Sequence, residues 1–265
     1  MMKKSTLEEN DAVATTRNEL EIHSRLRHPS IVRMRAYFQN PERLFSVLEY
    51  VEGCELFELM DRRGGRLEES VVRSFAAQLV DALGYLQQRN IIHRDIKPEN
   101  LLHCDASGRV KLCDFGWAVH SREGWEDVQY HRSTTCGTLD YLAPEIVLAA
   151  TEGTRYAEKV DNYAVGILIY ELLVGRAPFA PTEEVEDEEE AQRATMRAIV
   201  SSAVDFPVEE ELALSPDCRA LIVALTQKSA AARPEIESVR HHPWLAQATA
   251  ALAAPAVPAA AAPAN

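Results

Sequence analysis

Glycine is missing from the first 52 residues of this 265-residue chain, and Gly53 is the first to occur. A glycine-rich loop of the kind that wraps phosphates is therefore excluded from that stretch. The five cysteines, Cys54, Cys104, Cys113, Cys136 and Cys218, contain no CxxC pair and no even spacing. No disulfide framework is read from them, and free thiols in a reducing, intracellular compartment are expected. No charged amino-terminal stretch runs into an apolar one, as it would in a secretory leader. The longest apolar stretch, Ala164 to Tyr170, stops at Glu171, far short of the ~20 residues that cross a bilayer. A soluble protein with no membrane partner is expected. Cations are scarce as well: 28 Lys and Arg stand against 41 Asp and Glu, for a net charge of −13. With so little basic surface to release counterions, a nucleic acid is excluded as the main partner, and basic protein segments are favoured.

What is present has a globular composition, 46% hydrophobic and 26% charged, which rules out a wholly disordered or fibrous chain. The length suits one large domain or two lobes sharing a core. Residues 8 to 27 set Leu20, Ile22 and Leu26 among charges as a helix does, and His28-Pro29 stops it. Ile31 to Phe38 and Leu44 to Tyr50 read as paired strands around a turn at Asn40-Pro41. From about Leu56 helical periodicity takes over, in Ser70 to Arg89, Asp161 to Leu173 and Asp217 to Thr226, with a strand-and-loop stretch from Ile91 to Leu112. The organisation expected is a small strand-bearing lobe, 1–50, and a larger helical one, 51–247. Within the stretch 181–190, seven of the eight residues from Glu183 to Glu190 are acidic. They read as a solvated insertion or the exposed start of a helix, with attraction of a substrate or partner as the sharper alternative. The Ala- and Pro-rich tail, 248–265, reads as a disordered end.

The chemistry is concentrated in His93-Arg94-Asp95-Ile96-Lys97-Pro98-Glu99-Asn100, followed nineteen residues after Asp95 by Asp114-Phe115-Gly116. Transfer of a terminal phosphoryl group needs an acceptor hydroxyl held in line, together with metal ions and cations to take up charge on the phosphate oxygens. Asp95 is suited to orient the hydroxyl and accept its proton, and Lys97 to lie against the moving phosphate. Asn100 and Asp114 supply hard oxygen ligands for Mg²⁺.

These residues, with Ala143-Pro144-Glu145 further on, resemble the protein-kinase signature set. The fold class this implies is α+β: a bilobal kinase-like fold with a truncated small β lobe holding one helix, and a large, mainly α-helical lobe. Lys97 and Thr138 match the serine/threonine pattern. The stretches Asp114 to Ser121, Cys136 to Leu142 and Glu19 to Pro29 are similar to the aurora kinases, from which Ala143, Tyr163 and the acidic insertion depart. The resemblance implies ATP and Mg²⁺ as cofactors and protein substrates. It also implies a mitotic role at spindle or chromosomes, in nucleus or cytoplasm, and an activator docking on the small lobe. Glu49, Tyr50 and Val51 would form the hinge that hydrogen-bonds adenine, with Leu48 as gatekeeper, Glu55 on the ribose and Leu102 beneath the base, and Glu99, Asn100 and Asp114 would also belong to the ATP site. Plain core packing is the other reading of Leu48 and Leu102, and both can hold at once. Cys113 would face the nucleotide as an inert thiol, since no cation flanks it. Asp161 would hold the loop backbone, and Glu145 would pair with Arg233. Thr134 would be the activating phosphosite, gripped by Arg94. Glu99 and Glu171 would bind an arginine upstream of the acceptor Ser or Thr.

Glu19 resembles the helix glutamate whose usual partner is a strand lysine, and no Val-Ala-x-Lys precedes it. Lys3 and Lys4 sit slightly too close to it and in no apolar alternating strand, so neither is expected to take that place. Three readings stand: an aurora-like kinase whose first strands lie outside this sequence, a catalytically inactive kinase-fold scaffold, and another kinase that prefers basic substrates.

Overall fold

The computed structural model describes residues 1–121, 139–152, 158–181, 187–208, 212–246 and 248, the last four of 139–152 by backbone alone. Thr134 and Thr138, the residues 182–186 and nearly all of the tail lie outside the described residues.

In the small lobe, β2 (Met34–Gln39) and β3 (Arg43–Leu48) form the expected hairpin. The Asn40 side-chain oxygen accepts the N–H groups of Glu42 and Arg43 at 3.0 and 2.7 Å. That local bond is why an Asn-Pro pair turns the chain here. A two-residue strand, β1 (Met2–Lys3), pairs antiparallel with β3, so the sheet order is β1-β3-β2. Lys3 is thus a strand residue, in a strand too short to show an apolar alternation. The single helix expected over 8 to 27 is also corrected, because two helices occur, α1 (Lys4–Glu9) and α2 (Val13–Arg25). Asp11 between them adopts φ 51°, a left-handed conformation that breaks a helix and that Asp tolerates. Leu20 on α2, Met34 and Leu44 form a small core of their own, joined by Met2 and Leu7.

The large lobe is built on α4 (Glu69–Gln87) and α6 (Lys159–Val174), close to the spans read from periodicity. Helix α6 is buried nearly all round, from Val160 to Tyr170, as a central helix must be. Gly166 lets α8 (Pro216–Leu225) approach it, since a Cβ there would stand 2.8 Å from side-chain atoms of Leu225 and Thr226. Around this core lie α3 (Leu56–Arg62), α5 (Pro144–Glu152), α7 (Glu188–Ser201) and α9 (Ile236–Arg240). Of the two readings of the acidic run, its described part is a helix start: the Asp187 carboxylate accepts the N–H groups of Glu189 and Glu190, and three acids fill the first turn of α7, where the helix dipole favours them.

Two short sheets carry the polar loops. One has the order β4-β6-β7, from β4 (Gly53–Glu55), β6 (Leu101–Cys104) and β7 (Arg109–Leu112). The other pairs β5 (Ile91–Ile92) with β8 (Val119–His120).

Arg233 is 1% exposed, and each of its five N–H donors has an acceptor. Two meet the Glu145 carboxylate at 2.6 and 2.5 Å, and the others reach the carbonyls of Gln227, Lys159 and Lys228. A guanidinium can be buried only on such terms. Arg233→Ala strands the Glu145 carboxylate and is expected to lower unfolding stability in urea by about 3–5 kcal/mol; a loss under about 1 kcal/mol would contradict this reading of the pair.

Candidate active site

The loop from His93 to Asn100 begins where β5 ends, and Asp161 fixes its first turn. The Asp161 carboxylate, 1% exposed, accepts the backbone N–H groups of His93 and Arg94, each at 2.8 Å. Arg94 is held at φ 67°, and its Nε donates to the Trp117 carbonyl at 2.6 Å. Such a conformation costs about 1–3 kcal/mol in a non-glycine residue and persists only where the surroundings impose it.

Past that turn, three expected residues meet at one atom. Asp95 Oδ2 accepts from Asn100 Nδ2 at 2.7 Å and lies 3.0 Å from Lys97 Nζ. Asn100 Nδ2 also donates to the Asp95 carbonyl at 2.8 Å. These acceptors orient the amide, so Asn100 Oδ1 points away from Asp95 and has no described partner. Asp95 Oδ1 is likewise uncommitted among the described residues.

The register of the β6–β7 hairpin brings in Asp114. Leu101 pairs with Leu112, so Cys113 N–H donates to the Asn100 carbonyl at 2.9 Å and Asp114 follows immediately. Asp114 has φ 57°. Its Oδ1 accepts the Gly116 N–H at 3.0 Å, leaving Oδ2 without a partner among the described residues. A side chain at Gly116 would meet that carboxylate, because a Cβ there would lie 3.1 Å from Asp114 Oδ1 and 3.9 Å from Glu19 Oε2. The two uncommitted oxygens, on Asn100 and Asp114, suit a hard cation such as Mg²⁺. Among the described residues no cluster of three or more His, Cys, Asp or Glu is spaced for a metal, so a cation here would need ligands from substrate or water.

The same sheet reaches the expected hinge. Glu55 pairs with Leu102, and Leu102 pairs with Lys111. Lys111 Nζ meets the Glu49 carboxylate at 2.9 Å. Tyr50 is 86% exposed and Leu48 44% exposed, so plain core packing does not account for Leu48. Leu102, Val51 and Cys113 are half-buried. Burial and the charge of Asp114 push the Cys113 thiol up to about 12, so it stays protonated and unreactive at neutral pH.

Two elements of the site were not foreseen. The first is a stack of rings: fully buried Phe115 lies between His23 of α2, at 4.6 Å, and His93, at 4.9 Å. His23 Nε2–H donates to the Val32 carbonyl at 2.6 Å, and His93 Nε2 approaches the Cys113 carbonyl at 3.2 Å. Burial pushes His93 down to about 4, so it is neutral at pH 7. His23 stands one helical turn after Glu19, so the face was legible, but its partner was not. The second is Asp140, whose charge, with that of Glu99, acts on Glu171, so that the three form an acidic cluster. Glu99 Oε2 and Glu171 Oε2 are buried with no hydrogen-bond partner among the described residues. Burial, with Glu99 and Asp140 adding charge, raises Glu171 to about 7, and burial alone raises Asp140 to about 6.

Residues 1–245 match the family described as the protein kinase domain. The chain is 38% identical to an Aurora kinase of Schizosaccharomyces pombe over 92% of its own length and 62% of the relative's. It is 39% identical to Aurora kinase B-A of Xenopus laevis, over 91% and 60%, and 36% identical to an Aurora kinase of Dictyostelium discoideum, over 91% and 57%. The chain thus spans about three fifths of these relatives.

Glu19 faces Asp114 with no ion pair to Lys3, Lys4 or another cation among the described residues, and Lys3 is exposed. Burial and the Asp114 charge raise the Glu19 carboxyl above its ordinary 4.5. The folded state therefore holds this proton more tightly than the unfolded chain does, and stability falls as pH rises from 4.5 through the folded value. Glu19→Gln is expected to raise the thermal midpoint at pH 7, with the gain vanishing as the pH drops below 4.5. An equal shift at both pH values would count against this origin.

Proposed function

Because this chain belongs to the protein kinase family and is similar to aurora kinases across nine tenths of its length, we propose that it is a serine/threonine protein kinase. In this reading it uses ATP and Mg²⁺ and acts on Ser or Thr that follow an arginine, in a cell-cycle setting at spindle or chromosomes. The observation that carries the proposal is the convergence of Asn100 and Lys97 on one oxygen of Asp95, with Asp114 tied to Asn100 through Cys113. Asn100 and Lys97 occupy Oδ2, so Oδ1 is left to orient a substrate hydroxyl and take its proton. Lys97 then stands beside the position where charge builds on the phosphate. Asn100 Oδ1 and Asp114 Oδ2 are the atoms that would hold Mg²⁺, which when bound neutralises phosphate charge. The hinge backbone at Glu49 to Val51 would grip adenine, Leu48, Glu55, Leu102 and Cys113 would border the nucleotide, and Thr134 would carry the activating phosphate.

The acidic cluster of Glu99, Asp140 and Glu171 supports the substrate preference. Buried carboxylate oxygens without partners are costly, and a substrate guanidinium would satisfy those of Glu99 and Glu171 together. A second reading, a partner-binding kinase fold without transferase activity, is favoured by one observation: the Glu19 carboxylate has no cation beside it among the described residues.

Labelled ATP, Mg²⁺ and a peptide with arginine two residues before serine separate the two readings. Transfer that falls about 100-fold or more in Asp95→Asn supports the kinase; no transfer above that variant's level would favour the scaffold. The preference for this peptide over its Arg→Ala twin is expected to grow as pH rises through about 6 to 7, as Asp140 and Glu171 ionise. Glu171→Gln should flatten that rise, and a preference indifferent to pH in the parent would contradict it.

A further inference from the structure

At Glu49, the first residue of the expected hinge, a concavity of about 400 Å³ is lined mainly by Arg27, His28, Arg33, Arg35, Glu49 and Lys111. On a chain of net charge −13, a pocket with four permanent cations and one carboxylate runs against the overall balance. Its sequence origin is simple. Met34 is buried in the small-lobe core, so its neighbours Arg33 and Arg35 emerge on the opposite face, both exposed. The ladder has a bulge between Met34 and Ala36, a device that re-aims the side chain it frees.

The single acid is already occupied. Glu49 Oε1 meets Lys111 Nζ at 2.9 Å, and Oε2 accepts the Arg33 N–H at 3.1 Å. Lys111 is held as well by the Pro29 carbonyl at 2.9 Å, and His28 Nε2 by Asp81 at 3.1 Å. Arg27 donates through Nη1 to the carbonyls of Ser24 and Leu26. Among the described residues, the guanidinium groups of Arg33 and Arg35 have no hydrogen bond or ion pair. Two free planar forks inside a positively charged concavity are suited to a doubly charged phosphate, which each can bind in bidentate fashion.

We propose that this pocket binds a phosphorylated peptide, with the phosphate of a phosphoserine or phosphothreonine between Arg33 and Arg35. The volume suits one phosphorylated side chain. A nucleic acid would need a continuous basic track, and the basic side chains shown together here are those of one concavity. None of Asp95, Lys97, Asn100 or Asp114 lines the pocket, although Glu49 of the hinge does, so the residues placed at phosphoryl transfer are not part of it.

The test is fluorescence anisotropy of the 265-residue chain with a labelled Gly/Ser/Ala peptide bearing one phosphoserine, beside its unphosphorylated twin and a short DNA duplex. The phosphorylated peptide is expected to bind more tightly than its twin, with affinity that falls as salt is added. Arg33→Ala combined with Arg35→Ala should weaken it by about tenfold or more, while Asp95→Asn leaves it unchanged. Both arginines are exposed, so the double variant should melt with the parent, and Lys at both positions should restore only part of the binding. Equal binding of the twin, parent-like affinity in the double alanine variant, or tighter binding of the duplex through these arginines would each overturn the proposal.

Discussion

The polar architecture depends on one carboxylate placed where the solvent cannot reach it. Asp161 comes from the first turn of a helix that is otherwise almost wholly apolar, and a charge there is tolerated only because it accepts hydrogen bonds. Its two acceptor oxygens each take a backbone N–H from the start of the polar loop. That pair of bonds sets the left-handed turn at Arg94, and the turn directs Asp95 toward Lys97 and Asn100 rather than along the strand. The large lobe's core therefore does more than stabilise the chain, because its central helix carries the group from which the loop hangs.

From the loop, order passes outward through strands rather than through side chains alone. The β6–β7 register joins Asn100 to Cys113, and a parallel bridge between Ile31 and Leu112 ties the connector after α2 to the same hairpin. Asn18 of α2 donates to the Ala118 carbonyl at 2.8 Å, and the Phe115 ring fills the space between His23 and His93. The helix that carries Glu19 is thus held against the Asp114 segment by a backbone bridge, a hydrogen bond and a ring stack, although no described cation pairs with its glutamate.

Much of this was legible in the sequence, for physical reasons that also explain what was not. Ser70 to Arg89 and Asp161 to Leu173 span several turns, so their periodicity accumulates, and both helices lie within two residues of the spans read. The loop residues were legible because phosphoryl transfer needs those chemical groups at close spacing. Met2–Lys3 and Ile91–Ile92 are two-residue strands, too short to show any alternation. The division of residues 8 to 27 turns on one backbone dihedral at Asp11, which composition does not reveal. The contribution of Asp140 to the Glu99–Glu171 cluster and the pairing of Lys111 with Glu49 arise only when distant segments meet, and nothing local announces them. The chain's acidity concealed the basic concavity beside Glu49, since a net charge says nothing of where the few cations gather.

The most direct measurement of the central claim is hydrogen exchange at the backbone amides of His93 and Arg94. If Asp161 anchors the loop, both amides in the parent should exchange as slowly as those in the middle of α6, and in Asp161→Ala they should exchange far faster while α4 remains protected. Rapid exchange of both amides in the parent protein, or protection unchanged by loss of the carboxylate, would contradict the account.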